Sequence, residues 1–229
     1  MWEHIEKEIL YEDPQLLVCY KPAGLAVQTR GMGTMDLESG LKNYLARKEP
    51  GKMPYLAVIH RLDQPVEGVL VFAKTPRSAA DLNRQMTQGA MTKEYLAVVC
   101  GVPREKSGIL EDFLKKDGRN NRSSVVKEGT PGAKRARLTY ELLERAKGGR
   151  SLLRIRLDTG RHHQIRVQMA NSGMALAGDK KYGSGEGASL GLCAVGLSFC
   201  HPVSRERMEF HTRPRGEHFR AFFAAPELS

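Results

Sequence analysis

Long apolar runs, disulfide spacing and nucleotide-binding loops are all missing from this 229-residue chain. Its longest apolar stretches, Gly68–Ala73 and Leu96–Cys100, fall far short of the ~20 residues that a membrane-crossing helix requires. Glu3, Glu6 and Glu8 stand near the start without an apolar segment, so no signal peptide is read there and a cytoplasmic protein is expected. The four cysteines, Cys19, Cys100, Cys193 and Cys200, show no Cys-x-x-Cys spacing. Three sit in apolar stretches and read as reduced, buried thiols, which argues against both a disulfide scaffold and structural zinc. No Gly-x-x-x-x-Gly-Lys, Gly-x-Gly-x-x-Gly or His-Glu-x-x-His segment occurs. Readings as a nucleoside triphosphatase, a dinucleotide enzyme or a zinc peptidase therefore lack their cradle or ligands.

What is present is ordinary globular material with a lopsided charge. Apolar residues make up 41% and charged residues 27%, enough for a core that needs no disulfide or metal. Lysine and arginine number 36 against 26 acids, giving a net charge of +10. Residues 1–103 hold 12 basic and 12 acidic side chains, whereas residues 104–229 hold 24 and 14. A one-sided excess suits a polyanion, because each phosphate neutralised releases condensed counterions. Surface lysines that only confer solubility would give the same composition. At this length a single domain over 1–229, with two lobes or an insertion, is expected.

Periodicity supplies the elements. Leu16–Tyr20 reads as a strand ending in the turn Lys21-Pro22-Ala23-Gly24. Leu37, Leu41 and Leu45 mark a helix over Asp36–Lys48. Tyr55–His60 and Val69–Lys74 read as strands, and Arg77–Thr87 as a helix offering Ala80, Leu82 and Met86 to a core. Glu94–Cys100 is a further strand. Residues 115–137 carry eight basic and two acidic side chains among Gly, Asn, Ser and Pro, and read as a mobile basic loop or hairpin. Strands resume at Arg137–Leu143 and Leu152–Asp158. A helix follows from about His162 to Asn171, then a strand Leu192–Phe199 and a short helix Glu217–Phe223. Strands outnumber helices without alternating strictly with them, which predicts an α+β fold: a mixed, mainly antiparallel sheet with flanking helices.

Two segments can carry chemistry. His60-Arg61-Leu62-Asp63 lies on a turn between two apolar strands, where phosphate contact and carboxylate chemistry could coincide; equally, Asp63 could simply build the turn. Thr159-Gly160-Arg161-His162-His163-Gln164-Ile165-Arg166 opens a helix whose free amides favour anions, or is merely a solvated helix start. Adjacent histidines on a helix point apart, and no third ligand is near in sequence, so no metal is assigned.

These segments, in order, resemble the RluA-type RNA pseudouridine synthases. His60-Arg61-Leu62-Asp63 followed by Gly68-Val69-Leu70-Val71-Phe72-Ala73-Lys74-Thr75 is similar to that family's first catalytic motif. Lys93-Glu94-Tyr95-Leu96-Ala97, Gly160-Arg161 through Gln164-Ile165-Arg166, and Leu197-Ser198-Phe199-Cys200-His201-Pro202 match later ones. Leu10-Tyr11-Glu12-Asp13 through Lys21-Pro22-Ala23-Gly24-Leu25 matches the usual opening, so the resemblance runs from about Ile9 to Phe222. One segment alone would be weak evidence, whereas five in order are specific.

The resemblance implies a central active-site cleft, no cofactor, and isomerisation of uridine to pseudouridine. Asp63 is the carboxylate that attacks C1′ or removes the C2′ proton. An ordinary aspartate, of pKa ~3.9, is ionised at neutral pH, which suits base or nucleophile and not acid. By matching position, Arg166 pairs with Asp63 and Tyr95 meets the uracil. His60, Arg61, Leu62, Arg161, His163 and Gln164 form the substrate-binding set, with Arg61 filling the stack vacated by a flipped nucleotide. Residues 115–137, Arg154 and Arg156 add phosphate grip. The implied partner is structured RNA, ribosomal or transfer, bound by a monomer needing no protein partner or membrane. The small S4 RNA-binding domain of many relatives is not seen, so recognition is expected to come from the catalytic domain itself or a partner. Val66-Glu67 replaces the usual small hydroxylated pair, adding a charge that could repel a phosphate or orient an arginine. His162 stands where threonine is common, and both departures bear on substrate identity. Three rivals remain: an RNA-binding protein of the same fold without catalysis, a ribonuclease using His60, His162 or His163, and a solely structural ribosome-associated protein, which should be more disordered and more basic than this chain.

Overall fold

The structure, a computed structural model, describes residues 5–29, 35–146, 148–183, 185, 187 and 189–223. In chain order the elements are strands β1 (Ile9–Glu12) and β2 (Leu16–Lys21), helix α1 (Leu37–Lys48), strands β3 (Ala57–Val58) and β4 (Glu67–Ala73), and helix α2 (Pro76–Thr87). Strands β5 (Thr92–Cys100), β6 (Ser107–Asp117), β7 (Arg122–Val126), β8 (Lys134–Ala146) and β9 (Arg150–Leu157) follow. Helix α3 (Gln164–Asn171), strands β10 (Leu192–Cys200) and β11 (Arg207–His211) and helix α4 (Arg220–Phe223) complete the chain. The fold is α+β with a mostly antiparallel sheet, as the sequence predicts. It divides into two compact units, residues 1–93 with 194–213, and residues 94–193 with 214–229.

In the first unit β4 runs between β2 and β10, and both β2 and β4 are buried along their whole length. Leu16, Val18, Val69, Val71 and Phe199 form its core with Ala79 and Leu82 of α2. Strands buried on both faces read as continuous apolar runs, which is why this part is plain in the sequence. Thr75 caps α2 through Ser78, and Pro76 takes the first helical position, where its missing N–H costs nothing. The helix turns Ala79 inward and leaves Ala80 exposed, one residue off the expectation. The strand expected over Tyr55–His60 shortens to Ala57–Val58, because the chain then leaves β4 to form the motif-bearing turn. Gly68 has φ +128°, and a Cβ there would fall on the Ala194 backbone. β4 and β10 approach this closely only with glycine at that point.

The second unit is an antiparallel run in the order β5-β9-β8-β6-β7, with α3 packed on β6 and β7. Leu114, Ala136 and Val167 meet under α3. Of the loop or hairpin expected over 115–137, the structure has the hairpin: the stretch holds the end of β6, all of β7 and the start of β8, with β6 and β7 paired from Phe113–Val126 to Asp117–Arg122. Its alternating charged and small residues hid the strands because only one face is covered. Cys19 and Cys193 are buried as expected, but Cys100, at the end of β5, is exposed.

Candidate active site

The candidate residues fall on both units: His60, Arg61, Leu62 and Asp63 on the first, Tyr95, Arg161, His163, Gln164 and Arg166 on the second.

On the first unit Asp63 sits in the turn that leads into β4, partly exposed, between exposed Arg61 and buried Leu62. Its carbonyl accepts from the Val66 amide at 3.0 Å, closing the turn. The next residue is tied to the Lys21–Leu25 turn twice. The Gly24 amide donates to the Gln64 carbonyl at 2.9 Å, and Gln64 Nε2 donates to the Gly24 carbonyl at 3.0 Å. Lys21 completes the brace. Its fully buried ammonium donates to the carbonyls of Leu25, Gln64 and Pro22 at 2.7, 3.0 and 3.0 Å. Burial pushes its pKa down to about 7, against the charges of Asp63 and Glu67, which pull it up. The sequence shows Lys21 only as part of a turn, since nothing in a Lys-Pro pair announces a buried amine.

Glu67, a charge that could have repelled phosphate, is instead buried, and Tyr20 donates to it at 2.6 Å. His60 is buried as well. Burial, helped by the Lys93 charge, holds its pKa near 3, so the imidazole is neutral at pH 7. Its Nε2 makes no hydrogen bond to the described residues.

On the second unit Tyr95 is buried in β5, opposite Ile155 of β9. Arg166, on α3, is buried and forms a two-pronged pair with Asp179, Nε at 2.9 Å and Nη2 at 2.8 Å. Asp179 Oδ1 also accepts the amides of Lys181 and Tyr182 at 2.9 and 3.1 Å. Burial alone would raise the Asp179 pKa, but Arg166 and the two amides outweigh it and hold the carboxyl ionised. Gln164 is buried and shapes the turn before α3: its oxygen accepts from Thr159 Oγ1 and the Arg161 amide, and its nitrogen donates to the Arg137 carbonyl. Arg161 is exposed, with Nε donating to the Arg135 carbonyl at 2.9 Å. Arg154 and Arg156 pair with Glu141 and Glu94 at the surface. Such pairs are weak, so the guanidiniums can exchange their partners for phosphate.

The two histidines do not point apart, as a helical placement implies. The helix begins only at Gln164, His163 is left-handed at φ +55°, and the rings stack at 3.7 Å. His162 lies between Ser123 Oγ (2.9 Å) and Asn121 Oδ1 (3.0 Å). His163 Nδ1 meets the Tyr182 hydroxyl at 2.7 Å, and burial, the largest influence, pushes its pKa to about 3. Neither His60 nor His163 therefore titrates near neutrality, as a ribonuclease pair of general acid and base would. Asp179 and Tyr182 were missed in the sequence, where their only signal is an Asp three residues before a Tyr in a glycine-rich turn.

The first unit thus holds a braced aspartate and the second a buried arginine paired with a carboxylate. A family model described as RNA pseudouridylate synthase matches residues 15–171. Ribosomal large subunit pseudouridine synthase D of Nitrosomonas europaea is 38% identical over 184 residues, which are 79% of this chain and 51% of the relative. The protein of the same name from Zymomonas mobilis is 32% identical over 225 residues, 91% of this chain and 69% of the relative. Human RNA pseudouridylate synthase domain containing 4 shares the fold, with a TM-score of 0.78 at 20% identity over 93% of this chain and 91% of that one. The chain belongs to the RNA pseudouridylate synthase family, whose members are isomerases. No described helix is long and apolar enough to cross a membrane.

Proposed function

We propose that this protein converts uridine to pseudouridine in ribosomal RNA, with Asp63 as the reacting carboxylate. The observation that carries the reading is the Asp63 turn. A partly exposed carboxylate stands on a loop locked by Lys21, Gly24 and Gln64, inside a sequence motif that the family model covers. A group that must meet one sugar carbon needs such a fixed position, because misplacement by an ångström is costly in rate.

The reaction is balanced within the substrate. The N1–C1′ bond breaks, the uracil turns, C5 bonds to C1′, and the C5 proton is lost as N1 gains one. Asp63 attacks C1′ or removes the C2′ proton. By the matching motifs, Arg166 takes the role of the cation and Tyr95 that of the face that holds the detached ring. Arg61, exposed beside Asp63, stacks where the flipped base was, since its planar guanidinium imitates a base as lysine cannot. The rest of the substrate set is His60 and Leu62 behind the turn and Arg161, His163 and Gln164 at the start of α3. Residues 115–137 grip phosphates. Ribosomal RNA is favoured over transfer RNA because the Nitrosomonas and Zymomonas relatives are named for the ribosomal large subunit. The protein works as a cytoplasmic monomer in which one catalytic domain spans 1–229.

The test is release of tritium from C5-tritiated ribosomal and transfer RNA by wild type and Asp63→Ala. Release from ribosomal RNA by wild type alone is expected. Release by both proteins would remove Asp63 from the chemistry. Salt-dependent binding with no release from either RNA would favour the non-catalytic reading. Elution as a dimer in size exclusion would overturn the monomer.

A further inference from the structure

Tyr182 is the best-connected side chain of the second unit, and neither the sequence motifs nor the mechanism above uses it. It follows the Asp179 turn, and its own amide donates to Asp179 Oδ1 at 3.1 Å. Its ring centroid lies 5.2 Å from the Arg166 guanidinium carbon and 5.1 Å from that of Arg122 on β7. Its hydroxyl accepts the Ser123 amide at 2.7 Å. The same hydroxyl lies within hydrogen-bond distance of His163 Nδ1, at 2.7 Å. The His163 carbonyl accepts from the Val167 amide at 3.0 Å, so His163 sets the first turn of the helix that carries Arg166.

The side chain therefore reaches Arg166 by two routes, one through its ring face, the other through His163 at the start of α3. The same residue seats the basic hairpin. Ser123 and Arg122 belong to β7, Arg122 donates to the Lys181 carbonyl, and Lys181 Nζ donates to the Asn121 carbonyl at 2.7 Å. Two guanidiniums share one aromatic ring, whose negative face offsets a repulsion that they would otherwise exert directly.

The geometry points to Tyr182 as a positioning residue that holds Arg166 in its working orientation and ties that orientation to the seating of the β6–β7 hairpin. This rests on the reading of Arg166 as a catalytic residue, and the experiment separates the two. Single-turnover tritium release from C5-tritiated ribosomal RNA is measured for wild type, Tyr182→Phe, Tyr182→Leu, Arg166→Lys and the Tyr182→Leu/Arg166→Lys double variant. RNA dissociation constants are taken by filter binding. Tyr182→Phe keeps the ring and is expected to slow the step about fivefold, and Tyr182→Leu about thirtyfold, with dissociation constants within about twofold of wild type. The double variant should be no more than about twofold slower than Arg166→Lys alone, since a residue that acts through another adds nothing once that other is gone. If Tyr182→Leu fails to fold, judged by its melting curve, Tyr182→Phe and its pairing with Arg166→Lys decide alone. Multiplicative losses in the double variant, or weakened RNA binding at an unchanged rate, would overturn the proposal. A slow Arg166→Lys beside Tyr182 variants of normal rate would sink it while sparing the catalytic Arg166. An Arg166→Lys of normal rate would instead remove Arg166 itself from the chemistry, and Tyr182 with it.

Discussion

Asp63 on the first unit and Arg166 on the second are held by different chemistry. Around Asp63 the bracing groups are main-chain carbonyls and amides, gathered by one buried ammonium. Around Arg166 they are side chains: a carboxylate, a phenol and two stacked imidazoles. The first unit carries 15 basic and 13 acidic side chains, the second 21 and 13, so most of the positive excess lies in the second. On the role proposed for Asp63, the carboxylate is kept in the less charged unit, on main-chain groups gathered by the side chains of Lys21 and Gln64. An arginine inside a basic field needs a dedicated anion and aromatic rings to stay put, so its setting tolerates substitution poorly.

The sharpest way to break this contrast is at Asp63 itself. Asp63→Asn should lower turnover by about a thousandfold or more in the tritium assay, while filter binding to RNA changes by no more than about threefold. The next test is the brace. Lys21→Met strands three carbonyls and should cost about 2–3 kcal/mol by chemical denaturation, with turnover about thirtyfold lower. A Lys21→Met enzyme as active as wild type would show that the Asp63 turn holds itself. Arg61→Lys should slow turnover about tenfold while weakening binding by no more than about threefold; equal losses would make Arg61 a phosphate contact only. On the second unit, changing Lys115, Lys116 and Arg119 together to serine should leave single-turnover rates at saturating enzyme unaltered. It should flatten the dependence of log Kd on log salt by about 0.7 for each phosphate no longer neutralised.

The smallest effects concern acid. Burial pushes His60 and His163, one on each unit, to about 3. In the unfolded chain they take a proton near ~6.5, so their contribution to stability is intact above that and declines as pH falls toward 3. Burial would raise Glu12, but hydrogen bonds from Lys74, Lys48 and Tyr44 outweigh it and hold the carboxyl at about 2. Its contribution is present above the ordinary carboxylate pKa of ~4.3 and lost as pH falls toward 2. Melting curves across this range should show Glu12→Gln removing a loss on the order of 1 kcal/mol below pH ~4.5, and leaving the loss between ~6.5 and ~4.5 unaltered.

What could be read from the sequence follows the same division. β2 and β4 are apolar on both faces, and α1 and α2 carry helical spacing and caps, so these parts of the first unit were legible while its short strands β1 and β11 were not. The order of short motifs around Asp63, Tyr95 and Arg166 was legible too. β6, β7 and β11 were not, because strands with one covered face alternate apolar with charged residues and look like loops once glycine and asparagine intervene. Lys21, Asp179 and Tyr182 escaped because their importance lies in partners distant in sequence, or in main-chain groups that no motif displays. The stacking of His162 on His163 depends on a left-handed backbone at a residue that is not glycine.

The hairpin is seated largely through its backbone. Tyr182 takes the amide of Ser123 and Lys181 the carbonyl of Asn121, and every amino acid except proline offers both groups. Side chains of the hairpin other than those of Asn121, Arg122 and Ser123 can therefore be exchanged without unseating it. For inheritance, this makes the hairpin a replaceable reading head: descendants of one ancestor could drift toward different RNA targets while the isomerising chemistry stayed as it was.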